Sequence, residues 1–127
     1  MEKQISKGLK YLFVIHYIVG GFLGLMYMII PGTYAKLFQW PMDDKSPYRL
    51  IGAALCGFAV NSWFSYRNEV WESVEISVKM EIVWCGLGAA VMAYIMYTRE
   101  YPAIGWVNAA VFAFFAAAFG YFYKREK

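Results

Sequence analysis

The sequence predicts an all-α integral membrane protein: a single domain over residues 1–127, built as a four-helix bundle with N- and C-termini cytoplasmic. Three observations carry that expectation. First, 61% of the 127 residues are hydrophobic and 20% aromatic, against 17% charged. Soluble domains run at about 45–50% apolar and about 25% charged, and short chains bury the smallest fraction of their surface. Second, four apolar stretches follow one another with connections too short for a soluble domain. Third, the basic residues divide unevenly. With the N-terminus inside, Lys3, Lys7, Lys10, Arg67, Lys79, Lys124, Arg125 and Lys127 fall on the cytoplasmic side, and Lys36, Lys45, Arg49 and Arg99 outside. The net charge of +3 reflects this bias and is no sign of nucleic-acid binding. The same composition disfavours a disordered tail and a secreted disulfide scaffold.

The first span, about 11–30, carries no formal charge and a single histidine. As a helix it covers about 30 Å, the thickness of a bilayer's hydrocarbon core. Its apolar core is too long for a cleaved leader and no small-residue cleavage pattern precedes Pro31, so it is expected to be retained. Pro31–Tyr48 then forms the longest connection, and its middle, Tyr34–Trp40, is amphipathic enough to lie on the outer membrane surface until Pro41 ends it. The second span, about 50–66, starts directly after Arg49. Asn68 is placed to cap a following helix, whose first turns hold Glu69, Glu72 and Glu75. The third span, about 78–97, holds Lys79 and Glu81 in its first turn and no charge after that. The fourth, about 103–123, is free of charge throughout. Interfacial aromatic belts are expected at Tyr34, Trp40, Tyr48, Tyr97 and Tyr101 outside, and at Tyr11, Trp63, Tyr66, Trp71 and Tyr123 inside. Trp40, Arg49 and Trp71 are the expected lipid or interface anchors.

Helices in lipid pack through small residues, and each span offers a row at spacing four: Gly20 and Gly24; Ala53 and Gly57; Ala89 and Ala93; Gly105, Ala109, Ala113 and Ala117. Extended toward the cytoplasm, these rows meet His16, Asn61, Glu81 (through Cys85) and Tyr121. Ionisable groups inside a membrane point to function by default, so these four are the candidate ligand- or proton-binding residues. The alternative is that they are hydrogen-bonding glue, with Glu81 reaching water or Lys79.

Other chemistry is sparse. Cys56 and Cys85 are isolated, and the chain has no C-x-x-C, H-E-x-x-H, G-x-S-x-G or phosphate-binding glycine loop. No catalytic residue and no metal site is expected, since His16, Glu81 and one cysteine are few ligands for an isolated ion. No cofactor is expected either, although one histidine leaves a single-His pigment or haem open. The stretches Ile30–Pro41, Arg49–Leu55, Ser62–Arg67, Gly105–Asn108 and Phe119–Tyr121 together resemble the uncharacterised small four-helix prokaryotic membrane proteins of DoxX-like type. That resemblance implies a four-helix fold in a bacterial or archaeal cell membrane, and no activity.

The functional expectation is a non-catalytic accessory or structural subunit of a membrane assembly. Its partners would be the lipid bilayer and other membrane subunits or further copies of itself. Trp40, Trp63, Trp71 and the Phe112–Phe115 band would supply the contact area. The rival is a binding or transport protein for a small hydrophobic or protonatable ligand, centred on His16, Asn61, Glu81 and Tyr121.

Overall fold

The computed structural model describes residues 1–127 and is entirely helical apart from one isolated bridge between Gln4 and Val70. Five helices follow in order: α1 (Lys7–Ile29), α2 (Pro31–Phe38), α3 (Ser46–Arg67), α4 (Trp71–Thr98) and α5 (Ile104–Glu126). α1, α4 and α5 are long and apolar enough to cross a membrane. α3 is 22 residues long but more polar, with Arg49, Asn61, Ser62, Ser65 and Arg67 along its length. The fifth helix is the short α2, in the connection expected to lie flat on the surface.

Local chemistry sets the boundaries. Ser6 caps α1 by accepting from the Leu9 amide at 3.3 Å. Pro31 stops α1, because the residue before a proline is pushed out of helical geometry, and Ile30 sits at φ −128°, ψ 53°. The same proline opens α2, whose missing amide costs nothing at a helix start. α2 ends before Pro41 is reached, at Gln39, the chain's one non-glycine residue with positive φ. Asn68 does not cap α4. Its Nδ2 donates to the Phe64 carbonyl at 2.9 Å and closes α3 instead, while Val70 stands at the N-cap of α4 without a side-chain bond.

The long helices form two pairs. α1 packs along α3 and α4 along α5, with few contacts from one pair to the other. Within the first pair the backbones nearly touch. A Cβ on Gly24 would lie 2.8 Å from Cys56 Sγ and 2.9 Å from its amide nitrogen. A Cβ on Gly52 would strike the backbone of Met28 and Gly24. Only glycine permits this approach, as expected for helices associating without a hydrophobic drive.

Two of the expected small-residue rows do not hold as contact faces. On α3 a Cβ at Gly57 meets nothing within 4 Å, and the buried face runs through Gly52, Leu55, Ala59, Ser62 and Ser65 instead. On α5 the row starts buried at Gly105 and Ala109 but is exposed at Ala113 and Ala117. Steps of four residues overshoot a helical turn by about 40° each, so the α5 row has turned away from its partner two steps after Gly105, whereas Ala53 and Gly57 on α3 are exposed from the start. The α5 face follows the helix by mixing steps of three and four, and so arrives at Phe115 and Phe119.

The pairs lock together at the end that holds both chain termini. Leu9, Leu12 and Phe13 of α1 share one core with Trp71, Val74 and Val78 of α4 and Phe115 and Phe119 of α5. The extended N-terminal segment straps this end. Ile5 donates to the Glu69 carbonyl at 2.9 Å, Trp71 donates to that of Lys3 at 2.7 Å, and Ser6 donates to the buried Glu126 carboxylate at 3.2 Å.

Candidate functional site

Directly above this core lies a polar knot built from three helices. His16 faces α3 and α4 from α1, one turn before Gly20, and is buried. Its Nδ1 lies 2.7 Å from Ser62 Oγ on α3, and its Nε2 lies 3.2 Å from Glu81 Oε2 on α4. Phe115 and Phe119 hold the ring edge-on, at centroid distances of 4.8 and 5.6 Å. Glu81 has no exposure at all, and a carboxyl so placed is costly unless it is paired. One turn along the same face, Cys85 Sγ stands 4.0 Å from Glu81 Oε2.

Asn61 joins from α3, its Oδ1 accepting from the Ser77 hydroxyl at 3.1 Å. Asn61 Nδ2 and Glu81 Oε1 are both buried without a hydrogen-bond partner. A proton on either His16 or Glu81 satisfies their contact, with the Ser62 hydroxyl turning to donate or accept. The knot can therefore change protonation state without moving a heavy atom. Lys79 takes no part, since it pairs with Glu75 at 2.8 Å on the outer face.

Past His16 and Cys85 the two helix pairs part and enclose a cavity of about 410 Å³, lined by 19 residues of which 15 are hydrophobic. Its volume lies within the range of about 300–1,000 Å³ that holds small ligands. All four long helices contribute, among them Val19, Leu55, Val91 and Phe112. At the far end stand Tyr27, Tyr48 and Asn108. Tyr27 lies eleven steps beyond His16 on α1, so the slot runs about 16 Å between its polar ends. That far end is closed by an aromatic cap. Asn108 donates to the Tyr34 hydroxyl at 2.8 Å, Tyr34 meets Tyr27 edge-on, and Trp40 donates to Tyr48 at 3.2 Å while stacking on Tyr101. One side is not closed. The lining residues Ile51, Leu87 and Val91 are exposed on the outer surface, so the wall between α3 and α4 faces the protein's surroundings.

Of the four residues singled out from the sequence, His16, Asn61 and Glu81 come together. Tyr121 does not: it is 59% exposed, carried outward by the same drift that exposes Ala113 and Ala117. Ser62, Ser77 and Cys85 complete the knot. The serines carry no signal of their own, but Ser62 falls on the buried α3 face once steps of three and four are mixed.

The anchoring residues also move. Trp71 is 5% exposed and sits in the core against Tyr123, so it is no interfacial anchor. Trp40 is half-buried in the aromatic cap, and Tyr34, expected in the outer belt, is buried there. Arg49 Nη1 donates to the carbonyls of Met28 and Ile29 at 2.7 and 3.2 Å, a cation on the negative end of α1. Together with Lys36 and Lys45 it lines a basic recess at the start of α2. Comparison with protein-family models, with curated proteins and with solved structures finds no match to this chain.

Proposed function

We propose that this chain is a multi-pass cell-membrane protein that binds a small, mainly apolar molecule between its helix pairs, with the molecule's polar end at His16 and Cys85. The observation that carries the reading is the adjacency of an apolar, ligand-sized cavity and a buried ionisable knot. Alone, either feature has a bland explanation. Together they form an amphiphile-shaped slot with hydrogen-bonding groups at both ends.

In this reading all four long helices cross the bilayer, with both termini cytoplasmic as the basic residues favour. At 22 residues α3 spans about 33 Å, and its polar residues Ser62 and Ser65 face inward. The exposed seam at Ile51, Leu87 and Val91 then opens to lipid, so an apolar ligand enters from the membrane without crossing water. A prokaryotic setting rests on the DoxX-like resemblance.

This reading takes precedence over the accessory-subunit expectation because much of the aromatic surface that expectation needs is turned inward. Trp71 and Phe115 are buried, and Phe112 lines the cavity. A haem ligated by His16 is disfavoured too, since Nε2 faces the Glu81 carboxyl and Phe115 and Phe119 pack against the ring, which leaves no room there for a porphyrin.

The test is mass spectrometry of small molecules carried by gently extracted wild-type protein and by Val91→Trp, which fills the slot from its lipid side. Thermal shifts with dodecanol and dodecylamine are measured in parallel. A carried molecule or a stabilising amphiphile that Val91→Trp abolishes supports the proposal. An empty wild type that neither amphiphile stabilises sinks it.

A further inference from the structure

The geometry points to a mononuclear site for a divalent transition metal of the zinc type, formed by His16, Glu81 and Cys85 with a fourth position toward the cavity. The three side chains offer an imidazole nitrogen, a carboxylate oxygen and a thiolate sulfur, all within 4.8 Å of one another. A mixed nitrogen, oxygen and sulfur set suits zinc and its neighbours better than calcium or magnesium, which take oxygen ligands.

The separations fit such an ion. Metal–ligand bonds of about 2.0–2.3 Å at tetrahedral angles set neighbouring ligand atoms about 3.3–3.7 Å apart. The nitrogen–oxygen edge here is 3.2 Å and the oxygen–sulfur edge 4.0 Å. Both therefore need to move by only about half an ångström or less, and the nitrogen–sulfur edge, no longer than 4.8 Å, closes by about an ångström at most if the Cys85 side chain turns toward His16. Glu81 and Cys85 are four residues apart on one face of α4, so a rigid helix presents two of the ligands together.

Two further features favour a metal over a simple hydrogen-bonded pair. His16 Nδ1 is held by Ser62 Oγ at 2.7 Å, which leaves Nε2 to ligate and fixes the ring plane, as outer partners of metal-bound histidines do. Charge balances as well. A carboxylate, a thiolate and a neutral imidazole around a divalent cation sum to zero, which suits a dehydrated site with little or no exposure at all three residues. Binding forms three metal–ligand bonds and expels the Cys85 thiol proton together with any proton on the His16–Glu81 pair, with no oxidation or reduction. Because His16 and Cys85 also line the cavity, the fourth position opens onto it and is taken by water or a ligand's polar end. Three protein ligands and one open position are the arrangement of a reactive rather than a purely structural zinc site.

The inference goes beyond the apolar-ligand reading and stands even if the slot carries nothing. Purified full-length protein, stripped with a chelator, is titrated with Co²⁺ and followed by absorption. Expected are one Co²⁺ per chain, a thiolate-to-cobalt charge-transfer band in the near ultraviolet, and loss of both on adding Zn²⁺. Cys85→Ser, nearly isosteric, should lose that band while Cys56→Ser keeps it. Ser62→Ala, which touches no ligand atom of the metal, should weaken Co²⁺ binding by roughly 10–100-fold. Val91→Trp should bind Co²⁺ as wild type does, which separates this result from the amphiphile test. Helical circular dichroism and a single size-exclusion peak establish that each variant is folded. A folded wild type without the charge-transfer band, or a band that survives Cys85→Ser, overturns the proposal.

Discussion

The terminal half of the bundle and the opposite half are made from the same four helices, yet one is solid and the other hollow. Residue size along α1 explains the contrast. Near the termini α1 presents Leu9, Leu12 and Phe13, which reach across to Trp71, Val78 and Phe119 and tie the pairs together. Beyond His16 it presents Gly20 and Gly24, which draw α1 onto Gly52 and Ala59 of α3. No large side chain of α1 then crosses between the pairs, although Phe58 of α3 still stacks on Trp84 of α4 at one edge, and the cavity is what remains. The polar knot sits at the changeover, with core on one side and open space on the other. Glycines that tighten one interface thus create the vacancy at the next.

The largest effect is expected from attacking that tight interface. Gly52→Leu would drive a side chain into the backbone of Met28 and Gly24, a clash no rotamer relieves. Overpacking with flexible neighbours already costs about 1–3 kcal/mol, so a backbone clash should exceed ~3 kcal/mol and abolish monodisperse protein. Gly57→Leu on the same helix meets nothing within 4 Å and should purify as wild type. Size-exclusion profiles of the two variants, side by side, make the measurement. Equal behaviour would remove the explanation given for the hollow half.

This pair of glycines also shows what the sequence makes legible. Long apolar stretches announce the helices: the expected spans at about 11–30 and 103–123 correspond to Lys7–Ile29 and Ile104–Glu126. The row through His16, Gly20 and Gly24 lies on a true contact face, because two steps of four drift by less than a quarter turn. Longer rows mislead for the same reason, as with Tyr121 on α5, whereas Ala53 and Gly57 lie off the α3 contact face from the start. Some of the site has no local signal. Tyr34 is buried because Asn108, 74 residues later, donates to it. Serine is tolerated on any face, so Ser62 and Ser77 gain meaning only beside His16 and Asn61. A cavity is defined by side chains that fail to meet, which no single stretch of sequence records.

A smaller effect distinguishes the halves by what truncation leaves behind. Phe119 is fully buried, against Phe13 at 5.5 Å and the His16 ring at 5.6 Å. Phe119→Ala should therefore cost about 3–5 kcal/mol, the range for a large aromatic removed from a packed core. Leu23→Ala enlarges a space that already exists, and should cost less than about 2 kcal/mol because few contacts are lost. Denaturation midpoints in one detergent give the comparison. Similar losses at both positions would mean that the hollow half is packed in solution.

The smallest effect is expected at the exposed α3–α4 seam, and there the size of the change is the point. Val91 lines the cavity yet is 55% exposed, so its side chain is divided between slot and surroundings. A tryptophan at this position lays its ring across the mouth of the slot, with the apolar cavity on one face and the surroundings on the other. No neighbour has to move, and no buried polar group loses a partner. The stability of Val91→Trp should thus lie within about 0.5 kcal/mol of wild type, as for substitutions away from packed features. A loss of several kcal/mol would show that the α3–α4 seam is closed and the slot inaccessible from the bilayer. A clear gain would have the opposite meaning: a ring settled in the slot replaces apolar contacts that the wild type leaves unmade, which is the physical condition for an apolar ligand to bind there.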